Sequence, residues 1–229
     1  IMPSLVGSEM CIRDRVTAGP TWEPLDPVRY LSNRSSGKQG FAIAAAAAAL
    51  GARVTLVAGP VSLPTPLGVD RIDVESANEM HAAVKKAMPA DAAVMVAAVA
   101  DWRTKDYSDT KIKKRGSAPP ALMLTENPDI LATLGASPQR PGLLVGFAAE
   151  TDNLIENAKK KRKAKGADWI VANDVSGAPG ESVMGGDANT VHIVTEDGVE
   201  SWEPMGKDDV ALGLAERIGE ALALEAVDE

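Results

Sequence analysis

Residues 92–100 read AAVMVAAVA, an unbroken apolar run closed at one end by Asp91 and at the other by Asp101. Helical patterns flank it, and a short apolar run between helices is a strand buried on both faces of a parallel sheet. That demands helices above and below, which narrows the architecture to a layered α/β domain. Comparable runs occur at residues 53–58, stopping at Gly59-Pro60, at 143–148 and at 169–172, with a shorter one at 71–74. Between them fall helical segments. One covers 39–50 and ends at Gly51; another opens with the capping-box pair Ser76 and Glu79 and runs to about residue 88.

Further along, Asn127-Pro128 reads as the cap and first residue of a short helix. A very basic helix is expected over 153–165, closed by Gly166, and an amphipathic one over 208–223. Residues 190–194 and 199–202 pair as a hairpin across Glu196-Asp197-Gly198. Segments 19–38 and 102–120 read as long loops without elements of their own, the second polar and rich in Pro and Lys. The sum is a Rossmann-like three-layer α/β fold. Its sheet is mostly parallel, with a C-terminal antiparallel hairpin extension. Residues 1–15, IMPSLVGSEMCIRDR, have no clean period, and Arg13, Asp14 and Arg15 stand where a buried first strand needs apolar residues. They are expected to be a non-native leader before one domain at 16–229, with the first strand truncated.

Composition removes several functions. The net charge of -8 argues against nucleic-acid binding through a general positive field. Cys11 is the only cysteine, which excludes an intramolecular disulfide and fits a reducing, cytoplasmic compartment. His81 and His192 are the only histidines, too few for a His-rich zinc site and a poor basis for a His-dependent triad. The longest apolar stretch, 41–50, is too short to cross a bilayer.

Ligands of such folds bind beyond the carboxyl ends of the strands. Ser35, Ser36, Gly37 and Lys38 lie at the start of a helix, where free N–H groups and the helix dipole favour an anion; a long polar connection with a Ser cap is the alternative. Asp101, after its strand, is placed to meet a base or a metal-bound phosphate, or simply ends the strand. Lys111, Lys113, Lys114 and Arg115 form one basic cluster; the run from Lys159 to Lys165 forms another, in which Lys161 and Lys165 share a helix face. Each cluster alone is compatible with a solvated face. In an acidic chain, two together fit a small polyanion such as a triphosphate, and neither carries the aromatic residues of a single-strand nucleic-acid groove.

The segments TAGPTWEPLDPVRYLSNRSSGKQGFAIA, AAVADWR, KIKK, NPDIL, VGFAAET and VANDV, in this order, resemble the phosphopantothenoylcysteine synthetase domain of the bacterial coenzyme A biosynthesis bifunctional protein. The resemblance runs from Val16 to about Glu220. It implies a ligase that uses CTP and Mg²⁺ to activate 4'-phosphopantothenate as an acyl-cytidylate, which cysteine then attacks with release of CMP. It implies a cytidine site at Met95, Val96, Ala97, Asp101, Pro128, Asp129, Ile130, Leu131 and Phe147, with triphosphate contacts from Lys111, Lys161 and Lys165. Asn33 matches the asparagine that handles the acyl-cytidylate, Arg29 an arginine tied to the same step, and Lys111 a flap residue. The resemblance further implies a homodimer, with residues 190–202 as a candidate contact, and fusion to a flavin-dependent decarboxylase half; no flavin is expected in this part. Which carboxylate meets Mg²⁺ is open. Trp22 stands where the family more often has Arg or Lys, so it offers no charge to a phosphate.

Two rival classes remain on the residues. A nicotinamide-dependent oxidoreductase needs a glycine-rich first turn and an acidic end to the second strand, where this chain has Ala58-Gly59-Pro60. A non-catalytic nucleotide-binding module would bind without turnover.

Overall fold

In the computed structural model, which describes residues 12–113, 121–150, 152–174 and 188–225, the buried runs become strands of one eight-stranded sheet. The chain opens with β1 (Arg13–Ala18), the hairpin β2 (Trp22–Asp26) and β3 (Arg29–Ser32), then α1 (Lys38–Ala49) and β4 (Arg53–Ala58). It continues through β5 (Val69–Asp73), α2 (Ala77–Lys86), β6 (Ala92–Met95), β7 (Trp102–Thr104), β8 (Leu124–Glu126) and α3 (Ile130–Gly135). Then follow β9 (Leu143–Glu150), α4 (Leu154–Lys165), β10 (Trp169–Asp174), β11 (Ala188–Asn189), β12 (Val191–Val194), β13 (Val199–Ser201), β14 (Met205–Gly206) and α5 (Lys207–Glu225).

The sheet order is β13-β12-β10-β9-β6-β1-β4-β5. From β5 to β10 every pairing is parallel, and β12 and β13 add antiparallel strands at one edge, as the expected hairpin extension. The parallel part has the Rossmann arrangement, in which successive strands are laid outward from β1 on one side and then from β6 on the other. The strand order reverses between β1 and β6, and that crevice is where such folds bind ligands.

The period of two along the strands sorts their side chains between two cores. Val16, Val54, Leu56, Val94 and Val145 face α1 and α5, meeting Phe41, Ile43, Val210 and Leu214. Val57, Ala93, Leu144 and Ile170 face the other way, toward Met80 and Val84 of α2, Leu131 and Leu134 of α3, and Ala158 of α4. The helix α1 approaches β1 so closely that a Cβ on Gly40 would lie 2.5 Å from Ala18 Cβ. The small side chains that make up much of the chain are what permit this contact.

Several expectations need correction. The run 92–100 is a strand only to Met95; residues 96–100 leave the ladder. The segment 19–38 is not a plain loop, because β2 and β3 pair within it and Trp22 stacks on Tyr30 with ring centroids 4.3 Å apart. Similarly, β7 and β8 pair across the Lys-rich segment. The cap of α3 is Asp129, whose side chain accepts from Ala132 N, not Asn127. No serine caps α1: Ser35 Oγ accepts from Gly37 N at 3.3 Å, and Gly37 turns into the helix with φ 74.

The first strand also departs from the expected boundary. It begins at Arg13, three residues upstream of the boundary expected at 16, while residues 1–11 of the expected leader, Cys11 among them, lie outside the described residues. Two of the charged residues escape the core: Arg13 pairs with Asp91 at 2.9 Å, and Arg15 donates to Ala87 O at 2.6 Å. Asp14 does not. It is 5% exposed between Val54 and Ala92, and its Oδ1 has no hydrogen-bond partner. Burial, reinforced by the charge of Asp91 and only partly offset by Arg15, pushes its carboxyl up to about 7. The folded chain therefore holds an extra proton between pH about 4 and 7, so stability falls as pH rises through that window. The full penalty above pH 7 is on the order of 4 kcal/mol. Asp14→Val is expected to raise Tm at pH 8 by roughly 8–16 °C, with the gain shrinking toward pH 4.5. Thermal denaturation at both pH values checks this; an equal gain at both, or none, contradicts it.

Candidate functional site

Once β6 ends, the backbone of residues 96–100 needs partners other than a neighbouring strand. Two hydroxyls supply most of them. Thr17 Oγ1, buried at the end of β1, accepts from Val96 N at 3.1 Å and Ala97 N at 3.2 Å. Thr21 Oγ1, also buried, accepts from Ala100 N at 3.0 Å. Between them Ala98 N donates to Gly19 O at 2.9 Å. On the far side Asn127 Nδ2 donates to Ala100 O at 2.8 Å, and Asn127 N donates to Asp101 O at 2.9 Å. The displaced segment is thus pinned open, and beside it lies a cleft of about 860 Å³. That is ample for a nucleotide together with a second small molecule.

One wall of the cleft is the turn before α1 and its first residues, with Asn33, Ser35, Ser36, Gly37 and Lys38. Asn33 Nδ2 donates to Val99 O at 3.0 Å, which ties this wall to the displaced segment. The floor is Met95, Val96 and Ala97, leading to Asp101 at the rim. The opposite wall combines Pro128, Asp129, Ile130 and Leu131 at the start of α3 with Phe147 of β9. Lys161 and Lys165 of α4 close it, one helical turn apart.

The two lysines are held differently. Lys161 Nζ donates to Phe147 O at 2.7 Å, and burial draws its ammonium below the usual lysine range, with Glu150 opposing that shift. Lys165 pairs with Asp129. Burial alone would raise the Asp129 carboxyl, but Lys165, the Ala132 N–H and the charge of Lys161 together hold it below its usual value. The cleft therefore gathers positive charge at one end in a chain that is acidic overall.

Of the residues singled out in the sequence, all of the wall and floor positions come together in this cleft, as do Lys161 and Lys165. Two do not line it. Arg29 lies on the β2–β3 hairpin, with Nε and Nη2 on Asp26 Oδ2 at 2.9 and 2.5 Å and Nη2 also on Ile112 O at 2.7 Å. Lys111 is exposed in the adjoining segment. Lys114 and Arg115 lie outside the described residues. Neither histidine is on the cleft wall: His81 is in α2, and His192 meets Ser201 Oγ across the β12–β13 pairing at 2.7 Å. Thr17, Asn173, Asn189 and Lys207 are cleft residues that motif reading did not single out, and Asn127, read as a helix cap, lines the cleft as well. Asn173 was the most legible, as it comes directly after the apolar run 169–172 near the end of β10; Asn189 and Lys207 arrive from elements distant in sequence.

Fold and cleft together define a Rossmann-like domain with a polyanion-sized site at the point where the strand order reverses. Residues 13–222 match the DNA/pantothenate metabolism flavoprotein C-terminal domain, and the chain belongs to that family. It is 46% identical over 220 residues to the coenzyme A biosynthesis bifunctional protein CoaBC of Vibrio cholerae, covering 95% of this chain and 54% of the relative. The CoaBC of Escherichia coli K12 is 51% identical over 186 residues, covering 80% of this chain and 45% of the relative. The chain thus spans about half the length of the curated relatives it matches. Among solved structures, the crystal structure of the C-terminal domain of CoaBC superposes with a TM-score of 0.78 at 40% identity, covering 93% of this chain and 96% of that one.

Thr17→Val keeps the shape of the side chain but leaves the Val96 and Ala97 N–H groups without their acceptor. It is expected to cost roughly 1–3 kcal/mol, whereas Thr17→Ser retains the oxygen and most of the stability. Denaturant unfolding of both variants checks this, and equal losses would contradict a hydroxyl-specific role.

Proposed function

We propose that the chain is a phosphopantothenate–cysteine ligase domain of coenzyme A biosynthesis, working in the cytoplasm. In this reading CTP and 4'-phosphopantothenate give an acyl-cytidylate and pyrophosphate, and the amine of cysteine then displaces CMP to give phosphopantothenoylcysteine. The observation that carries it is the cleft at the strand-order reversal, with Lys161 and Lys165 on one wall and the anion-favouring start of α1 on the other. It suits a substrate pair charged at both ends, and the family membership points the same way.

The chemistry assigns work to particular groups. A carboxylate is a poor electrophile until its oxygen becomes part of a leaving group, and its attack on the α-phosphate needs neutralised charge. Lys161 and Lys165 supply that charge from α4, and Lys111 adds more when its segment closes. Cytidine rests against Met95, Val96, Ala97, Asp101, Phe147 and the start of α3. Ser35, Ser36, Gly37 and Lys38 take the phosphorylated substrate. Asn33 offers an uncharged donor to the acyl oxygen as charge develops there on amine attack, and Arg29 supports this step from the hairpin.

Mg²⁺ fits as an ion carried in on the triphosphate, since such ions usually keep one or two carboxylates plus substrate oxygens. Among the described residues no group of three or more His, Cys, Asp or Glu gathers to hold a metal independently. Asp101, Glu126 and Asp129 are the carboxylates that line the cleft, and Mg²⁺ held by one of them would lower the charge repelling the incoming carboxylate.

The chain's match to about half of each relative is consistent with a flavin-dependent decarboxylase half as its fused or associated partner. The outer strand β13 is the candidate contact for a homodimer. Among the described residues no helix is long and apolar enough to cross a membrane. A nicotinamide oxidoreductase is disfavoured because β4, next to β1, ends in Ala58-Gly59-Pro60 with no acidic residue for a ribose.

Pyrophosphate release that needs both CTP and 4'-phosphopantothenate tests the reading. Release without the acid, binding without turnover, or an NADH absorbance change contradicts it. Asn33→Ala is expected still to form the acyl-cytidylate but to pass it to cysteine on the order of 10²–10³ more slowly. Chromatography of the mutant reaction shows accumulated intermediate if this is right; none contradicts the role of Asn33.

A further inference from the structure

We infer that Asp26 is a positioning residue that anchors the segment carrying Lys111 to the β2–β3 hairpin at Ile112, the fixed point from which that segment closes over the nucleotide; the role of Lys111 rests on the ligase reading above. The Asp26 side chain is 0% exposed, and both of its oxygens accept hydrogen bonds. Oδ1 accepts from Val28 N at 2.9 Å, as an Asp at a tight turn often does. Oδ2 accepts from Arg29 Nε and Nη2 and, in addition, from Ile112 N at 3.1 Å. Arg29 Nη2 also donates to Ile112 O at 2.7 Å. Both backbone polar groups of Ile112 are therefore gripped by one ion pair, its carboxylate buried and its guanidinium 47% exposed, and Ile112 is the immediate neighbour of Lys111.

A turn-stabilising Asp needs only Val28 and Arg29. This carboxylate is also shared with a residue 86 positions away. The hairpin that carries it is itself anchored to the body of the domain. Buried Glu23 accepts from Ala77 N at 2.9 Å, and Trp22 N donates to Glu75 O at 2.8 Å. The segment then follows β2 through three ties. Thr104 Oγ1 meets Pro24 O at 3.0 Å, Ser108 N meets Leu25 O at 3.2 Å, and Ile112 meets Asp26. Only the last involves charged groups, which make the stronger hydrogen bonds. It sits at the end of the series, nearest the lysine. This also accounts for an arginine that the resemblance ties to catalysis yet lies off the cleft wall: Arg29 acts on the segment through Ile112.

The test compares the full chain with Asp26→Asn and Arg29→Lys, without nucleotide, under limited trypsin digestion followed by mass spectrometry. Cleavage after Lys111 and Lys113 is expected to speed up about tenfold or more, the size of a lost charged hydrogen bond. Cleavage after Lys85 and Lys86 in α2 serves as the reference and is expected to stay as in the parent. An unchanged rate at Lys111, or an equal rise at the α2 sites, overturns the clamp. In turnover assays Asp26→Asn is expected to raise KM for CTP more than it lowers kcat; an unchanged KM alongside faster cleavage overturns its service to the nucleotide. A parent chain without CTP turnover would instead remove the ligase reading, and the digestion result would still decide whether the clamp exists.

Discussion

Two buried threonine hydroxyls make the site possible. A strand that leaves a parallel sheet strands its N–H groups, and burying them without acceptors is expensive. Thr17 and Thr21 accept from Val96, Ala97 and Ala100, so the segment after β6 is held off the ladder at little cost. The opening lies between β1 and β6, where the strand order reverses and where the helices on the two faces diverge. Had residues 96–100 continued as strand, β6 would have filled the space that the cleft occupies.

Charge is arranged with the same economy. The chain carries a net charge of -8, yet Lys161 and Lys165 converge on the cleft from one face of α4. Each is held by a protein acceptor, Phe147 O for the first and Asp129 for the second. Such contacts preorganise the ammonium groups, and a phosphate oxygen competes well for them because it carries more charge than a carbonyl. The partial desolvation that draws Lys161 below its usual range also strengthens any ion pair it forms with a ligand.

Much of this was legible beforehand, and the reasons differ by element. The central strands β6 and β9 announce themselves because burial on both faces leaves them almost wholly apolar, and the capping box at Ser76 and Glu79 is local chemistry with one outcome. The cleft residues follow once the sheet is known, since strand ends and helix starts are where ligands bind. What escaped notice depends on distant partners. The β2–β3 and β7–β8 ribbons pair short segments interrupted by Pro or charge, with little alternation to read. The end of β6 is set by Thr17 and Thr21, not by anything in AAVMVAAVA. Arg13 and Arg15 made the first strand look broken because their escape to Asp91 and to the carbonyls after α2 is a tertiary fact. Asn127 resembled a helix cap but serves Ala100 O, and Asp129 takes the cap two residues later.

The central claim is that the cleft beside the displaced segment after β6 is the nucleotide site. A crystal structure of the chain soaked with CTP and Mg²⁺ tests it most directly. The account expects the cytosine ring against Phe147 and residues 95–97, with the phosphates on Lys161 and Lys165. Density for the nucleotide elsewhere on the protein, or an empty cleft at saturating CTP, would contradict it.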